Sequence, residues 1–109
     1  MQTIEMEKII IRGTLYDFYG ELLTNHQKSI YEDAVLNDMS LGEVASLHGV
    51  SRQAVHDIIK RCDKILMEYE SKLHLVEKFE KARDKVTAIR GLTTDDNIKE
   101  LADQILEDL

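Results

Sequence analysis

Side chains suited to reading nucleic-acid bases are concentrated in residues 51–64 of the sequence. Arginine matches the two acceptors of guanine and glutamine matches adenine, so Arg52 and Gln53 form a chemically plausible base-reading pair. The predicted nucleic-acid-binding residues are Ser51, Arg52, Gln53, His56, Lys60, Arg61 and Lys64, with the last three as phosphate contacts. An Arg-Gln pair is also common on a solvated helix, so a packing or protein-docking role for this segment stays open.

Local signals place these residues on the second helix of a helix-turn-helix. Ser40 followed by Glu43 is a capping box, which predicts a helix from Leu41. Gly49 permits the positive φ of a tight turn, and Ser51 can cap the next helix. That second helix would present its first turn to a major groove. The residues predicted to face inward or to staple the helix ends are Met39, Val44, Ala45, Val50, Val55 and Ile58.

Two helices should precede the helix-turn-helix. Apolar residues recur at helical spacing and predict a first helix from about Glu5 to Gly20 with this stripe buried. Thr24 and Gln27 form a second capping box, which predicts a helix to about Asn37 followed by a turn at Asn37-Asp38. The apolar stripe of the first helix is Ile4, Ile11, Leu15, Phe18 and Leu22.

Composition favours one all-helical domain. The 109 residues include no proline and 32% charged residues, which favours helices over a sheet. One cysteine excludes an internal disulfide framework, and no apolar run has the length of a membrane span, so we expect a cytoplasmic protein. The net charge of −7 argues against a strong, indiscriminate nucleic-acid binder, although residues 51–66 carry four basic and two acidic residues.

The second helix of the motif has no stop signal before about Arg90, and apolar residues recur along it in a heptad-like seam. A single chain of this size should not cover so long a seam. The helix therefore either breaks near Leu75 and folds back, or pairs with another chain as a homodimer through residues 62–89. The predicted dimer or packing seam is Cys62, Ile65, Leu66, Tyr69, Leu73, Val76 and Phe79.

These features divide the chain into a helix-turn-helix bundle, residues 1–66, and a helical extension, residues 67–109, that belongs to the same domain or serves dimerisation. Thr93 or Thr94 should cap a last amphipathic helix, whose stripe docks either on this chain or on a partner. The residues of that stripe are Ile98, Leu101, Ala102, Ile105 and Leu109.

Signatures of catalysis and metal binding are missing from the sequence. It contains no glycine-rich phosphate loop, no Cys-x-x-Cys and no His-x-x-x-His. Cys62 falls on the apolar seam and is interpreted as a buried small hydrophobe. We therefore expect no enzyme, no metal and no cofactor.

Three segments together resemble a known family. LYDFYGELLTNHQ, MSLGEVASLHGVSRQAVHDIIKR and KILMEYESKL, within Leu15 to Leu75, resemble the YlxM-like family of small bacterial helix-turn-helix proteins, which are similar to the promoter-reading C-terminal domain of sigma factors. The resemblance implies a sigma-like helical DNA-binding fold and a role, regulatory in kind, in the signal recognition particle pathway. The implied partners are DNA, or the RNA or GTPases of that particle. The alternative is a protein-interaction adaptor that modulates the GTPases without binding DNA.

Overall fold

Helices account for every regular element in the part of the chain that the structure describes. This computed structural model describes the backbone of residues 3–109 and the side chains of residues 8–109. The all-α prediction is confirmed. No helix within these residues combines the length and the apolar character needed to cross a membrane. The elements are α1 (Thr3–Tyr19), a 3₁₀ turn (Gly20–Leu22), α2 (Asn25–Tyr31), its π-helical continuation (Glu32–Leu36), α3 (Leu41–His48), α4 (Arg52–Leu73), α5 (Leu75–Leu92) and α6 (Asp96–Asp108).

The predicted capping residues begin α2 and α3. The Thr24 hydroxyl accepts from the Gln27 amide at 3.2 Å, and the Gln27 side chain accepts from the Thr24 amide at 3.0 Å, which completes a capping box. At α3 the Ser40 hydroxyl accepts from the Glu43 amide at 3.1 Å. Each bond satisfies an amide at a helix N-terminus that lacks an intrahelical partner. These helix starts therefore follow from neighbouring residues alone.

The chain divides into two compact units, residues 1–73 and 74–109. In the first unit, α1 contributes Leu15 and Tyr19 to the interior. The prediction that Ile11 and Leu22 are buried is wrong, since 56% and 55% of their surfaces are exposed. Leu22 lies in the 3₁₀ turn, where the α-helical register of the stripe is lost. Ile4 lies outside the residues whose side chains are described.

Helix α1 covers the first half of the predicted seam. Cys62 and Leu66 are fully buried in the first unit, and the Tyr19 ring stacks on Tyr69 with 5.9 Å between centroids. Ile65 and Tyr69 are half-buried. The expectation that a single chain cannot cover the seam is therefore wrong for this half, because α1 packs along the same face of α4.

The long helix predicted from Ser51 to about Arg90 is interrupted at His74, close to the break near Leu75 that was one of the two predicted alternatives. Helix α4 ends at Leu73, which is 45% exposed, and His74 has a positive φ of 54° before α5 begins. Histidine is among the non-glycine residues that tolerate this left-handed conformation. Val76 and Phe79, the last two seam residues, are half-buried in the second unit.

A half-buried network joins α1, α2 and α4. The Tyr31 hydroxyl donates to Asp63 Oδ1 at 2.6 Å, and Arg12 donates from Nη2 to Oδ2 at 2.5 Å and from Nε to Oδ1 at 3.2 Å. The hydrogen bond to Asp63 raises the pKa of Arg12. Burial, reinforced by the hydrogen bond to Asp63, raises the pKa of Tyr31. One carboxylate thus fixes two helices against α4.

The second unit is a hairpin of α5 and α6. Arg90 Nε donates to Asp103 Oδ1 at 2.6 Å across the two helices. The prediction that Thr93 or Thr94 caps α6 is wrong, because Asp95 occupies that position and accepts from the amides of Asn97 and Ile98. A carboxylate is favoured there by the positive end of the helix dipole. Thr93 instead accepts from the Asp95 amide at 3.1 Å.

Candidate nucleic-acid interface

The turn between α3 and α4 has the predicted helix-turn-helix geometry. Gly49 ends α3 with φ of 66°, and the Val50 amide donates to the Ala45 carbonyl at 3.0 Å. The Ser51 hydroxyl then accepts from the Ala54 amide at 3.0 Å and begins α4. The two helices are held by a buried cluster of Ile30, Val44, Ala45 and Val55, against which Met39, Val50 and Ile58 pack.

All predicted nucleic-acid-binding side chains are exposed in this arrangement. Six of them lie along the outer face of α4 and the seventh, Ser51, immediately precedes that helix. The opposite face carries Val55, Cys62 and Leu66, each fully buried. We call this outer surface the α4 face, which consists of Ser51, Arg52, Gln53, His56, Asp57, Lys60, Arg61 and Lys64.

Arg52 lies across the beginning of α3. A Cβ atom added to Gly42 would stand 2.9 Å from Arg52 Nη2 and 3.2 Å from Cζ, so the guanidinium occupies the space that a side chain would take. Glycine is a poor helix former, and its presence in the first turn of α3 is explained by this contact. Gly42 thus leaves room for the Arg52 side chain, a contact that the sequence-based prediction of the α4 face omits.

Gln53 is held by a neighbouring carboxylate. Its Nε2 donates to Asp57 Oδ1 at 2.9 Å, and His56 Nδ1 lies 3.6 Å from the same oxygen. An amide that reads adenine must both donate and accept, so the bond to Asp57 leaves its carbonyl oxygen and one N–H for a base. The four-residue spacing of Gln53 and Asp57 on a helix is a signal of this pair that is readable in the sequence.

The charge of the α4 face is positive. Arg52, Lys60, Arg61 and Lys64 supply four basic groups, against the single carboxylate of Asp57. Asp63, the other acidic residue of this stretch, is half-buried, and its carboxylate is paired with Arg12 and accepts from Tyr31. The local surplus is therefore larger than the sequence count of residues 51–66 indicates. A surface of this kind attracts phosphates at close range despite the acidic total.

The comparisons with known proteins agree with this geometry. Residues 6–106 match the model of a family described as "Putative helix-turn-helix protein, YlxM / p13 like", UPF0122. The chain belongs to the UPF0122 family. The resemblance to YlxM-like proteins is thereby confirmed, and the match extends beyond Leu75 through α5 and most of α6.

UPF0122 proteins of several bacteria are similar to this chain over most of its length. One from Oceanobacillus iheyensis is 48% identical over 86 residues, covering 79% of this chain and 82% of the relative. One from Shouchella clausii is 39% identical over 102 residues, covering 94% of both chains. One from Clostridium acetobutylicum is 37% identical, covering 95% of this chain and 96% of the relative. The similarity to these relatives therefore includes both the helix-turn-helix and the hairpin of α5 and α6.

Proposed function

We propose that the protein is a regulatory nucleic-acid-binding protein that uses the α4 face. The observation that carries the proposal is the exposure of every predicted contact residue along one outer surface, at the second helix of a helix-turn-helix. In this arrangement Arg52 and Gln53, in the first turn of α4, lie where such motifs approach base edges. Lys60, Arg61 and Lys64 follow along the helix and bind the phosphate backbone.

The proposed ligand is double-stranded DNA or the RNA of the signal recognition particle. The family resemblance supports the particle as the pathway that the protein regulates, and the positive α4 face supports an anionic polymer as the ligand. DNA presents a major groove that admits α4, whereas the major groove of duplex RNA is too narrow for side-chain reading. RNA would therefore be bound mainly through its backbone or at an unpaired loop.

A fluorescence-anisotropy titration tests this proposal. The purified protein is added to labelled particle RNA and, separately, to labelled duplex from upstream of its own gene, at low and at physiological salt. Substitution of Arg52 or Gln53 with alanine should cost about 1–3 kcal/mol of binding free energy if each contacts a base. Saturable binding that weakens with salt supports the α4 face as the binding surface.

Lys60→Ala and Lys78→Ala form a matched pair for the same titration. Both side chains are exposed and both variants lose one positive charge, but only Lys60 belongs to the α4 face. For duplex DNA, Lys60→Ala should reduce the slope of log affinity against log salt by about 0.9, the value for one phosphate contact. Equal losses in the two variants, or no binding of either ligand by the unsubstituted protein, would refute the proposal.

The second candidate function is that of an adaptor for the GTPases of the signal recognition particle, acting without nucleic acid. Two observations favour it, namely the net charge of −7 and the carboxylate of Asp57 within the α4 face, since both oppose polyanion binding. Under this function the protein changes the GTPase rate of purified particle proteins in the absence of RNA. An unchanged rate together with no co-purification of either GTPase would eliminate it.

A further inference from the structure

The α5–α6 hairpin has almost no interior of its own. Within residues 74–109, all of which are described, Ala102 is the one buried residue. Large apolar side chains remain exposed on both helices, with Leu101 at 59% and Ile89 at 51%. We call this surface the hairpin stripe, which consists of Leu75, Ile89, Leu92, Ile98, Leu101, Ile105 and Leu109.

A unit of this size needs a partner to form a core. The hairpin, His74–Leu109, is shorter than about 40 residues, below which folded units usually require disulfides, metals or oligomerisation. The only cysteine of the chain, Cys62, lies in the other unit. An amphipathic helix must bury its apolar face against another element, and two helices side by side bury only part of each face. More helices are therefore required over the hairpin stripe.

The net charges of α5 and α6 indicate which helices cover the hairpin stripe. Helix α5 has five basic and three acidic residues, whereas α6 has one basic and five acidic residues. Pairing α6 with a second α6 would bring two acidic helices together, which is unfavourable. Pairing α6 with α5 of a second copy brings opposite net charges together. The same pairing of α5 with α6 occurs within one hairpin, where Arg90 of α5 forms an ion pair with Asp103 of α6.

We propose that the hairpin stripe is a homodimer interface, in which α6 of each copy packs against α5 of the other to form four helices of alternating net charge. The stripe occurs on both helices of the hairpin, so one surface serves both copies, as an isologous interface requires. This interface differs from the dimer seam predicted from the sequence. Cys62 and Leu66 are buried in the interior of the first unit. The contacts between the two copies are made instead by residues such as Leu101 and Ile105, which are exposed within one chain.

Sedimentation equilibrium of the full chain, supported by light scattering, tests the proposal. The unsubstituted protein at tens of micromolar should have twice the 12.6 kDa of one chain. Leu101→Glu places a charge in the proposed interface twice per dimer, and the dimer dissociation constant should rise by at least about 100-fold. Leu47→Glu is the matched control. It introduces the same charge at a leucine that is 65% exposed on α3, outside the hairpin stripe. Its mass should remain that of the dimer.

Circular dichroism of each variant separates loss of the interface from loss of the fold. If Leu101→Glu lowers the helix content, the neutral Leu101→Gln variant replaces it, with a smaller increase of the same dissociation constant expected. A monomeric mass for the unsubstituted protein would overturn the proposal, since the stripe would then be covered within one chain. A dimer that Leu101→Glu and Leu101→Gln leave unchanged would overturn it as well, because the interface would lie elsewhere. Neither result depends on nucleic-acid binding.

Discussion

Replacing Tyr31 with phenylalanine is the most informative test of how the helix-turn-helix is supported. The substitution removes one hydroxyl, whose bond to Asp63 Oδ1 is 2.6 Å long, and keeps the ring that stacks on Tyr16 with 5.6 Å between centroids. Asp63 retains both of its bonds to Arg12. The change is therefore confined to one hydrogen bond between α2 and α4.

The expected cost follows from the nature of this bond. A hydrogen bond to a charged group contributes about 1.5–3 kcal/mol to stability. Because Arg12 still compensates the Asp63 carboxylate in the variant, the lower part of that range is expected. Tyr69→Phe makes the same chemical change at a hydroxyl for which the described residues provide no hydrogen bond, and it should cost less than about 0.5 kcal/mol.

The same substitution should change how stability depends on alkaline pH. Burial and the bond to Asp63 raise the pKa of Tyr31 in the folded protein, so the folded state holds this proton more tightly than the unfolded state does. The tyrosine pKa of the unfolded chain is about 10, and the free energy of unfolding therefore falls as the pH rises above that value. Tyr31→Phe should make this fall shallower by up to about 1.4 kcal/mol per pH unit.

Urea denaturation followed by circular dichroism, from neutral pH to about pH 11, measures both effects. The comparison uses Tyr31→Phe, Tyr69→Phe and the unsubstituted protein under reducing conditions. If Tyr31→Phe costs no more than Tyr69→Phe at neutral pH, and the alkaline slope is unchanged, the Tyr31–Asp63 bond does not stabilise the fold and the reasoning is refuted.

Three further predictions concern single residues of the first unit. Burial raises the pKa of Cys62 to about 11, so its thiol should react with a disulfide reagent only as fast as the protein unfolds, and rapid reaction of the native protein would contradict this. The free energy of unfolding should also begin to fall near pH 9, where the thiol of the unfolded chain ionises. Gly20→Ala should destabilise by about 1–3 kcal/mol in thermal or urea unfolding, because its Cβ would lie 2.9 Å from the fixed ring of Tyr16. Gly42→Ala should stay within about 1 kcal/mol of the unsubstituted protein, because the end of Arg52 can swing aside, and a larger loss would show that the guanidinium is fixed.

The helix boundaries that depend on neighbouring residues could be predicted from the sequence. Thr24, Ser40 and Ser51 each accept from an amide three residues ahead, and Gly49 adopts the positive φ expected of it. The left-handed backbone of Asp38, φ 53°, falls at the predicted turn. These features were accessible because capping bonds and turn conformations involve only a few consecutive residues.

The exposed α4 face was likewise accessible, because helical periodicity separates buried from exposed positions once a helix has been recognised. The alignment of Val55 and Cys62 toward the interior leaves Arg52, Lys60 and Lys64 outside. What periodicity does not provide is the set of partners on that face. The bond of Gln53 to Asp57 and the contact of Arg52 with Gly42 depend on side-chain conformations.

Tertiary structure alone decided which apolar surface is covered and by what. The apolar spacing of the seam is the same from Cys62 to Phe79. Helix α1 nevertheless buries the first half of the seam, and the break at His74 places its last two residues in the second unit. Asp63 likewise resembles any surface carboxylate in the sequence, although it binds a residue 51 positions away. Local sequence determined where helices begin and which sides are apolar, because those properties arise from near neighbours. The pairing of those sides depends on contacts between distant residues, which only the folded chain brings together.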